Sequence, residues 1–244
     1  KKFLNAVSKV DKFFSISKNI KDDLLKLGIN ESKIIMIPNG IEKKKFFQIR
    51  EIKKDINKKI YLLSVARFAK EKKGFDLIPL IAKLLNKRKI DFQWTIVGYN
   101  SKYIREIENM KSFDKNFKDL ENINNLEEKL FPHNKLIEVY KNNHVYINLA
   151  RIESFGITIM EALASGLPVI TFDTKGGNEL IKNNYNGIIT KNFSPEQIVN
   201  AISQYNENLD LYKKHKKNTI SSIENFDLSI ITQKTIQGYK EIVG

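Results

Sequence analysis

The sequence contains no cysteine. That absence excludes disulfide bonds, thiolate catalysis and cysteine-ligated zinc, and it fits a chain with no need of an oxidising compartment. No apolar run approaches the roughly 18 residues that would span a bilayer, and the first residues carry no secretory signal. We therefore expect a cytoplasmic protein, whose 41% hydrophobic and 29% charged residues suit a folded core of one or two domains.

Two chemical motifs are also missing. The sequence has no Asp-x-Asp pair that would hold a metal ion and no Gly-x-Ser-x-Gly turn that would support a hydrolase. The three histidines, His133, His144 and His215, are not spaced as metal ligands, and we predict that His133 lies in a surface loop. The sequence thus predicts no metal and no other cofactor.

Positive charge is in excess, because 42 lysine and arginine residues face 28 aspartate and glutamate residues and give a net charge of +14. Lysine clusters occur at 43–45, 70–73 and 213–217. Such charge attracts polyanions or an anionic membrane surface, but we expect most of these lysines to solvate helix faces, with peripheral membrane contact as a secondary role. Nucleic-acid binding is disfavoured because the aromatic residues are not interleaved with the basic clusters.

Apolar strand patterns alternate with amphipathic helices along most of the chain. Strands are predicted at YLLSVA, FQWTIV, VYINLA and VITF, with helices between them, for example from Phe75 to Arg88 and from Asn134 to Asn142. This alternation indicates an α/β fold with a Rossmann-like parallel sheet flanked by helices. Ligands bind beyond the carboxyl ends of such strands, and Arg67, Gly98 and Glu153 follow three of them.

The segment ESFGITIMEALASGLPVITF, residues 153–172, is the most informative part of the sequence. Apolar residues at helical spacing predict a helix over 156–166, and Pro168 starts an apolar strand. Gly156 lies at the helix start, where unpaired backbone N–H groups and the helix dipole favour an anion. Because a glycine has no Cβ, a phosphate can approach it closely, and we predict a phosphate contact there.

Two glutamates flank this helix start. Glu161 lies four residues after Ile157, one turn along the same helix face and roughly 6 Å along the axis. A carboxylate at that distance can accept hydrogen bonds from two ribose hydroxyls, and Glu153 would point toward whatever is attached beyond the phosphates. The alternative interpretation makes Glu153 a loop charge and Glu161 part of a solvated helix face, but the neighbouring positions favour the functional one.

The pattern around these glutamates resembles the E-x7-E signature of the retaining glycosyltransferases of family 4, which have the GT-B fold. The matching positions are Glu153, Phe155, Gly156, Glu161, Ala162, Gly166, Pro168 and Val169. The string SVARFAKEKKGFDL at 64–77 resembles the G-R…K-G segment of that family, with Ala66 in place of glycine. The string TKGGNELI at 174–181 resembles its G-G-P-x-E loop, with Asn178 in place of proline.

The resemblance implies roles for the charged residues. Glu153 would contact hydroxyls of the transferred sugar, while Arg67 and Lys73 would stabilise the negative charge on the leaving diphosphate. Lys72 is a second candidate for the diphosphate contact, and we favour Lys73 because it adjoins Gly74.

The resemblance also implies roles for residues that bind the donor. Phe155, Gly156 and Ile157 would line the phosphate path through backbone groups, Glu161 would bind the ribose, and Gly98 would lie near the nucleobase. For Gly176 and Gly177 we predict instead a structural role, as glycines of a turn.

The same resemblance predicts a division of the chain. Residues 1–42 resemble the end of an N-terminal domain and its hinge, residues 43–226 a C-terminal nucleotide-sugar-binding domain, and residues 227–244 a helix that crosses back toward the N-terminal domain. Because the sequence starts with lysine inside an apparently structured segment, we expect a fragment of a longer protein.

These inferences predict the donor-binding half of a metal-independent retaining hexosyltransferase. We expect a nucleotide sugar, with UDP as the favoured nucleotide, and a glycan or lipid-linked acceptor in bacterial surface polysaccharide synthesis. We expect the fragment alone to bind the donor but to turn over no acceptor. The alternative is a non-catalytic nucleotide-sugar-binding module, which Glu153 disfavours because a pure phosphate binder has little use for it.

Overall fold

The computed structural model describes residues 6–7, 9–48, 55–66, 69, 71–98, 117–120 and 134–243, with the backbone alone at 48, 117–120 and 243. Contacts divide the chain into two compact units, Lys1–Glu42 with Glu224–Gly244, and Lys43–Ile223. The domain roles inferred from the sequence stay a prediction.

Helices and strands follow one another in an order close to the one that the sequence patterns indicate. They are β1 (Phe13–Ser15), α1 (Lys18–Lys26), β2 (Ile34–Met36), α2 (Lys43–Gln48), β3 (Ile60–Val65), α3 (Ile78–Lys87), β4 (Phe92–Val97), β5 (Phe117–Leu120), α4 (Asn134–Lys141), β6 (Val145–Asn148), α5 (Ile157–Ala164), β7 (Val169–Phe172), β8 (Gly187–Thr190), α6 (Pro195–Glu207), α7 (Leu209–Asn218) and α8 (Leu228–Val243). Short 3₁₀ helices lie at Glu31–Lys33, Phe75–Leu77 and Ser221–Phe226.

The smaller unit is built on β1 and β2, which pair in parallel. Helix α1 connects them, and the side chain of Ser17 caps its start by accepting a hydrogen bond from the Ile20 N–H at 3.3 Å. Helix α8 begins beside Ile41, whose carbonyl accepts a hydrogen bond from the Leu228 N–H at 2.9 Å. These contacts tie the two ends of the described chain into one unit.

The strands of the larger unit form one parallel sheet in the order β5-β4-β3-β6-β7-β8. The strand order runs one way from β3 to β5 and the other way from β6 to β8. Strands β3 and β6 are therefore the neighbours at which the order reverses, and α/β sheets bind ligands in the crevice beyond the carboxyl ends of such a pair. The predicted fold class, a Rossmann-like parallel sheet flanked by helices, is confirmed.

The sheet is covered on both faces, which explains why its strands read as continuous apolar runs. Every residue of β6 and β7 is buried. Helix α3 packs on the sheet through Ile78, Ile81, Ala82 and Leu85, which recur at helical spacing. Burial of each large aliphatic side chain of this kind stabilises the fold by roughly 1.5–3 kcal/mol.

Two of the histidines belong to this core. His144 is buried. Its backbone N–H donates to the Tyr61 carbonyl at 2.8 Å, and its ring Nδ1 accepts from the Tyr61 backbone N–H at 3.1 Å. His215 is buried with Nδ1 2.8 Å from the Tyr205 hydroxyl, and burial lowers its pKa. Both side chains therefore have structural partners, while His133 lies outside the described residues.

A polar chain crosses the centre of the sheet. The fully buried Trp94 donates its Nε1–H to Ser64 Oγ at 3.1 Å, and Ser64 donates to the Ile147 carbonyl at 2.7 Å. One serine hydroxyl thus links three adjacent strands and accepts a hydrogen bond from the buried indole N–H.

We expect Ser64→Ala to lower the free energy of unfolding by about 1–3 kcal/mol, because two buried hydrogen bonds of the serine hydroxyl are lost, one from Trp94 and one to Ile147. Trp94→Phe removes that donor, so the double variant should lose less stability than the sum of the two single variants. Urea unfolding of the four proteins measures this difference, and strictly additive losses would contradict the proposed link.

Candidate functional site

Segments that follow β3 and β6 meet at the carboxyl edge of the sheet. The Lys73 Nζ lies 3.0 Å from Glu153 Oε2, across 80 positions of sequence. Both side chains are mostly buried, with 23% and 14% of their surface exposed. The second Glu153 oxygen, Oε1, accepts from the Ser154 N–H at 3.1 Å. The structure thus brings together two of the residues singled out in the sequence.

The structure also distinguishes Lys73 from Lys72, the two candidates for the diphosphate contact. Lys73 is mostly buried and reaches Glu153, whereas Lys72 is exposed and its backbone carbonyl accepts a hydrogen bond from the Arg151 N–H at 3.1 Å. The geometry therefore favours Lys73 as the lysine of the site, as the sequence suggested from its place beside Gly74.

Helix α5 begins next to this ion pair. Gly156 precedes its first residue with φ of +91°, a left-handed conformation that glycine adopts without strain. The first turn of the helix leaves backbone N–H groups without intrahelical acceptors, which suits an anion. Phe155 is buried in front of the helix, and the Ile157 side chain is 48% exposed.

Glu161 occupies a different environment from Ile157, one turn away. Its side chain is only 3% exposed, and Tyr140 of α4 donates a hydrogen bond to its Oε2 at 2.7 Å. Desolvation raises the pKa of the Glu161 carboxyl to about 7, although the Tyr140 hydrogen bond acts in the opposite direction. The alternative interpretation of Glu161 as part of a solvated helix face is therefore wrong.

A second tyrosine supports the same helix. The Tyr146 hydroxyl on β6 lies 2.7 Å from Thr158 Oγ1 and 3.1 Å from the Val65 carbonyl at the end of β3. Tyr140 and Tyr146 thus fix the first turn of α5 above the β3–β6 pair. Sequence reasoning missed both, because a tyrosine within an apolar pattern looks like any other core residue.

Arg151 and Asp76 were also missed. The Arg151 guanidinium makes a two-pronged ion pair with Asp76, with Nη1–Oδ1 at 2.8 Å and Nη2–Oδ2 at 2.7 Å. Asp76 lies inside the string 64–77 and Arg151 lies two residues before Glu153, but no spacing rule connects positions 75 residues apart.

The loop after β7 packs against the residue that carries the site carboxylate. The Gly176 N–H donates to the Glu153 carbonyl at 3.0 Å, and a Cβ at Gly176 would lie 2.4 Å from that oxygen. Gly177 lies in the same turn and donates its N–H to Thr174 Oγ1 at 3.2 Å. Asn178, where the family has proline, uses its own N–H to bond the Thr174 carbonyl at 2.9 Å.

Two further predicted residues have different outcomes. Gly98 directly follows β4, with φ of +147°, and is half-buried at the same edge of the sheet. Arg67 lies outside the described residues, directly after Ala66, so its contact with a diphosphate stays a prediction. Among the described residues, no group of three histidine, aspartate or glutamate side chains is arranged to hold a metal ion.

Comparison with known proteins identifies the family. Residues 45–222 match the family described as glycosyl transferases group 1. The chain belongs to this family. The match covers nearly the whole larger unit, including β3 through α7 and the Lys73–Glu153 pair. Membership in family 4 and retention of configuration are more specific than this match, and both stay proposals.

Individual relatives agree with this assignment. The chain is 28% identical over 239 residues to an uncharacterized glycosyltransferase of Methanocaldococcus jannaschii, covering 96% of the chain and 58% of that protein. It is 26% identical to the N,N'-diacetylbacillosaminyl-diphospho-undecaprenol alpha-1,3-N-acetylgalactosaminyltransferase of Campylobacter jejuni, covering 95% of the chain and 60% of the relative. The chain therefore spans about three fifths of the length of these curated relatives.

Solved structures share the fold. A glycosyltransferase of Rickettsia africae superposes with a TM-score of 0.80 at 24% identity, over 96% of this chain and 64% of that one. Anabaena Alr3699/HepE, solved with UDP and glucose, superposes with a TM-score of 0.76 at 15% identity, over 94% and 63%. This glycosyl transferases group 1 chain thus shares the fold of about two thirds of each of these GT-B glycosyltransferases.

We expect Gly176→Ala to destabilise the larger unit by about 2–4 kcal/mol, because the new methyl group would collide with the Glu153 backbone, which cannot rotate away as a side chain could. Gly177→Ala is the matched control: its methyl group would meet the Thr174 hydroxyl at 2.8 Å, and a hydroxyl can move. Thermal unfolding should rank Gly176→Ala well below Gly177→Ala. Equal losses would contradict this account.

The Glu161 carboxyl should make stability depend on pH. Its folded pKa of about 7 lies above the ordinary glutamate value of 4.5, so its contribution to stability is fully present below about pH 4.5 and is lost as the pH rises through about 7. Above about pH 7 the free energy of unfolding is lower by about 3 kcal/mol than below about pH 4.5 because of this group. Glu161→Gln keeps the shape and an acceptor for Tyr140 but cannot ionise.

We therefore expect Glu161→Gln to gain stability relative to wild type by about 2–3 kcal/mol between pH 5 and pH 8, measured by urea unfolding at both values. The exposed Glu207 on α6 offers the control variant Glu207→Gln, which should follow the wild type. Parallel pH curves for wild type and Glu161→Gln would contradict the assignment.

Proposed function

We propose that this chain is the donor-binding part of a retaining family 4 glycosyltransferase that moves a sugar from a nucleotide sugar to an acceptor. One observation carries the proposal: a lysine and a glutamate are paired at 3.0 Å beside the start of α5, at the reversal point of a parallel sheet. A phosphate binder needs the cation and the helix start, whereas the carboxylate suits hydroxyl groups of a sugar.

The residues divide the donor among them. Lys73, together with Arg67, neutralises the charge that develops on the diphosphate, and the backbone around Phe155, Gly156 and Ile157 lines the phosphate path. Beyond the phosphates, Glu153 accepts hydrogen bonds from the transferred sugar. On the other side, Glu161 receives the ribose.

The ribose contact has a physical basis in the Glu161 environment. Oε2 is occupied by Tyr140, and among the described residues no donor bonds Oε1, which leaves one oxygen for a ligand hydroxyl. Ribose hydroxyls would supply hydrogen bonds to the ionised carboxyl, which burial otherwise disfavours. Gly98, at the end of β4, lies toward the nucleobase.

In the proposed reaction, the bond between the sugar C1 and the diphosphate oxygen breaks, and the acceptor oxygen bonds C1 on the same face. The acceptor proton passes to the leaving phosphate oxygen, so no enzyme nucleophile is required. Fixed positive groups rather than a metal ion stabilise the diphosphate in this scheme.

The finer parts of the proposal draw on relatives. Structures with UDP, and a relative named for transfer to an undecaprenol-linked sugar, support a UDP-sugar donor and a glycan or lipid-linked acceptor. Synthesis of a bacterial surface polysaccharide at the cytoplasmic face of the membrane, through peripheral contact, fits such substrates. In the described part of the chain, no helix has both the length and the apolar character needed to cross a bilayer.

The test compares the full-length protein with its Glu153→Ala variant. Removing the carboxylate takes away the sugar contact but frees Lys73, so we expect UDP affinity to stay within about threefold while sugar transfer falls by about 100-fold or more. Calorimetric titration and a transfer assay provide the two readouts, and Glu207→Ala serves as a control.

Other outcomes identify other functions. UDP binding with no transfer by the wild type, over a panel of acceptors, would support a non-catalytic nucleotide-sugar-binding module. A wild type that binds none of UDP, GDP and ADP would contradict the proposed function itself.

A further inference from the structure

Arg151 makes four polar contacts with a single short segment. Its guanidinium grips Asp76 at 2.8 and 2.7 Å, its Nη1 also donates to the Glu71 carbonyl at 2.5 Å, and its backbone N–H donates to the Lys72 carbonyl at 3.1 Å. An arginine fork on a carboxylate fixes direction as well as distance. The segment 71–76 is therefore held from both sides of Lys73.

We call these four contacts between Arg151 and residues 71–76 the clamp, and the backbone reinforces it. Gly74 has φ of +70°, and a Cβ there would lie 2.1 Å from the Leu149 carbonyl oxygen, so the segment lies directly against the chain that leads to Arg151. Any other residue at Gly74 would push the lysine segment away from the end of β6. Gly74 and Arg151 thus both hold residues 71–76 against the chain that follows β6.

The clamp joins the segment that carries Lys73 to the segment that carries Glu153. Lys73 belongs to the gripped segment, and Glu153 follows Arg151 by two residues. A lysine side chain is flexible, with roughly 2 kcal/mol of rotamer entropy, and makes no directional fork of its own. What directs Lys73 toward Glu153 is therefore the backbone on which it is mounted.

We propose that Arg151, through its ion pair with Asp76, is a positioning residue that holds Lys73 at the diphosphate site and in register with Glu153. This inference rests on the proposed function, because it assigns Arg151 a purpose in donor binding. In this proposal Arg151 acts on the donor only through Lys73. The competing view is an ion pair that contributes only to stability.

A double-variant comparison in the full-length protein separates these views. We expect Arg151→Met to weaken UDP binding about tenfold, because the lysine segment loses its fixed position. In a Lys73→Met background the same substitution should change affinity less than twofold, since the ammonium group that the clamp positions is already gone. Calorimetric titration with UDP measures all four proteins, and thermal unfolding reports their stability.

Two further variants keep the test decisive. Asp76→Asn weakens the clamp from the other side, so it should reproduce the loss and should not add to Arg151→Met; it also carries the comparison if Arg151→Met does not fold. Lys59→Met is the matched control, because Lys59 pairs with Asp91 at 3.5 Å at the opposite, amino ends of β3 and β4. Its affinity for UDP should equal that of the wild type.

Each remaining outcome overturns a definite statement. An equal loss of UDP affinity from Arg151→Met with and without Lys73 would show that Arg151 does not act through Lys73. A lower unfolding temperature with unchanged affinity would show that the ion pair only stabilises the fold. Unchanged affinity in Lys73→Met would overturn both the lysine's role and the clamp, while UDP binding by the wild type would leave the proposed function standing. A wild type that binds no nucleoside diphosphate would overturn the function.

Discussion

The contact between Lys73 and Glu153 is the interaction on which the site depends. A partly buried ion pair loses hydration on both sides, and it forms only where the surrounding chain holds the two charges close together. Here the required closeness comes from adjacent strands, since β3 and β6 are neighbours and their following segments leave the sheet at the same edge. The topology of the sheet therefore creates the pair.

The second carboxylate illustrates a different balance. Glu161 lies under Tyr140 and Tyr146, and the environment that fixes its orientation also disfavours its charge. Burial of an ionisable group with a single hydrogen-bond donor lowers stability at neutral pH, and a ligand with hydroxyl groups relieves part of that cost. The proposed function assigns this carboxylate to the ribose, whose hydroxyl groups are donors of that kind.

Much of the fold could be predicted because strong local patterns coincide with real elements. The apolar runs at β3, β4, β6 and β7 were visible, and the helix of the glutamate motif ends where its glycine and proline indicated. The predicted helix from Phe75 was less accurate, since its first turn is a 3₁₀ helix at Phe75–Leu77 that follows left-handed Gly74. Close packing of Gly74 on Leu149 decides that start, and no local pattern records it.

The sequence by itself determined the order of most strands and helices, though not the polar strand β5, because most of these elements have apolar patterns that repeat within one or two turns. It also determined the helix start at Gly156 and the residue types suited to a phosphate and a sugar. Only the tertiary structure decided that Lys73 meets Glu153, that Tyr140 covers Glu161 and that Arg151 grips Asp76. Those contacts join positions 21 to 80 residues apart. Strand order brings such positions together, and a one-dimensional pattern does not specify which distant side chains will touch.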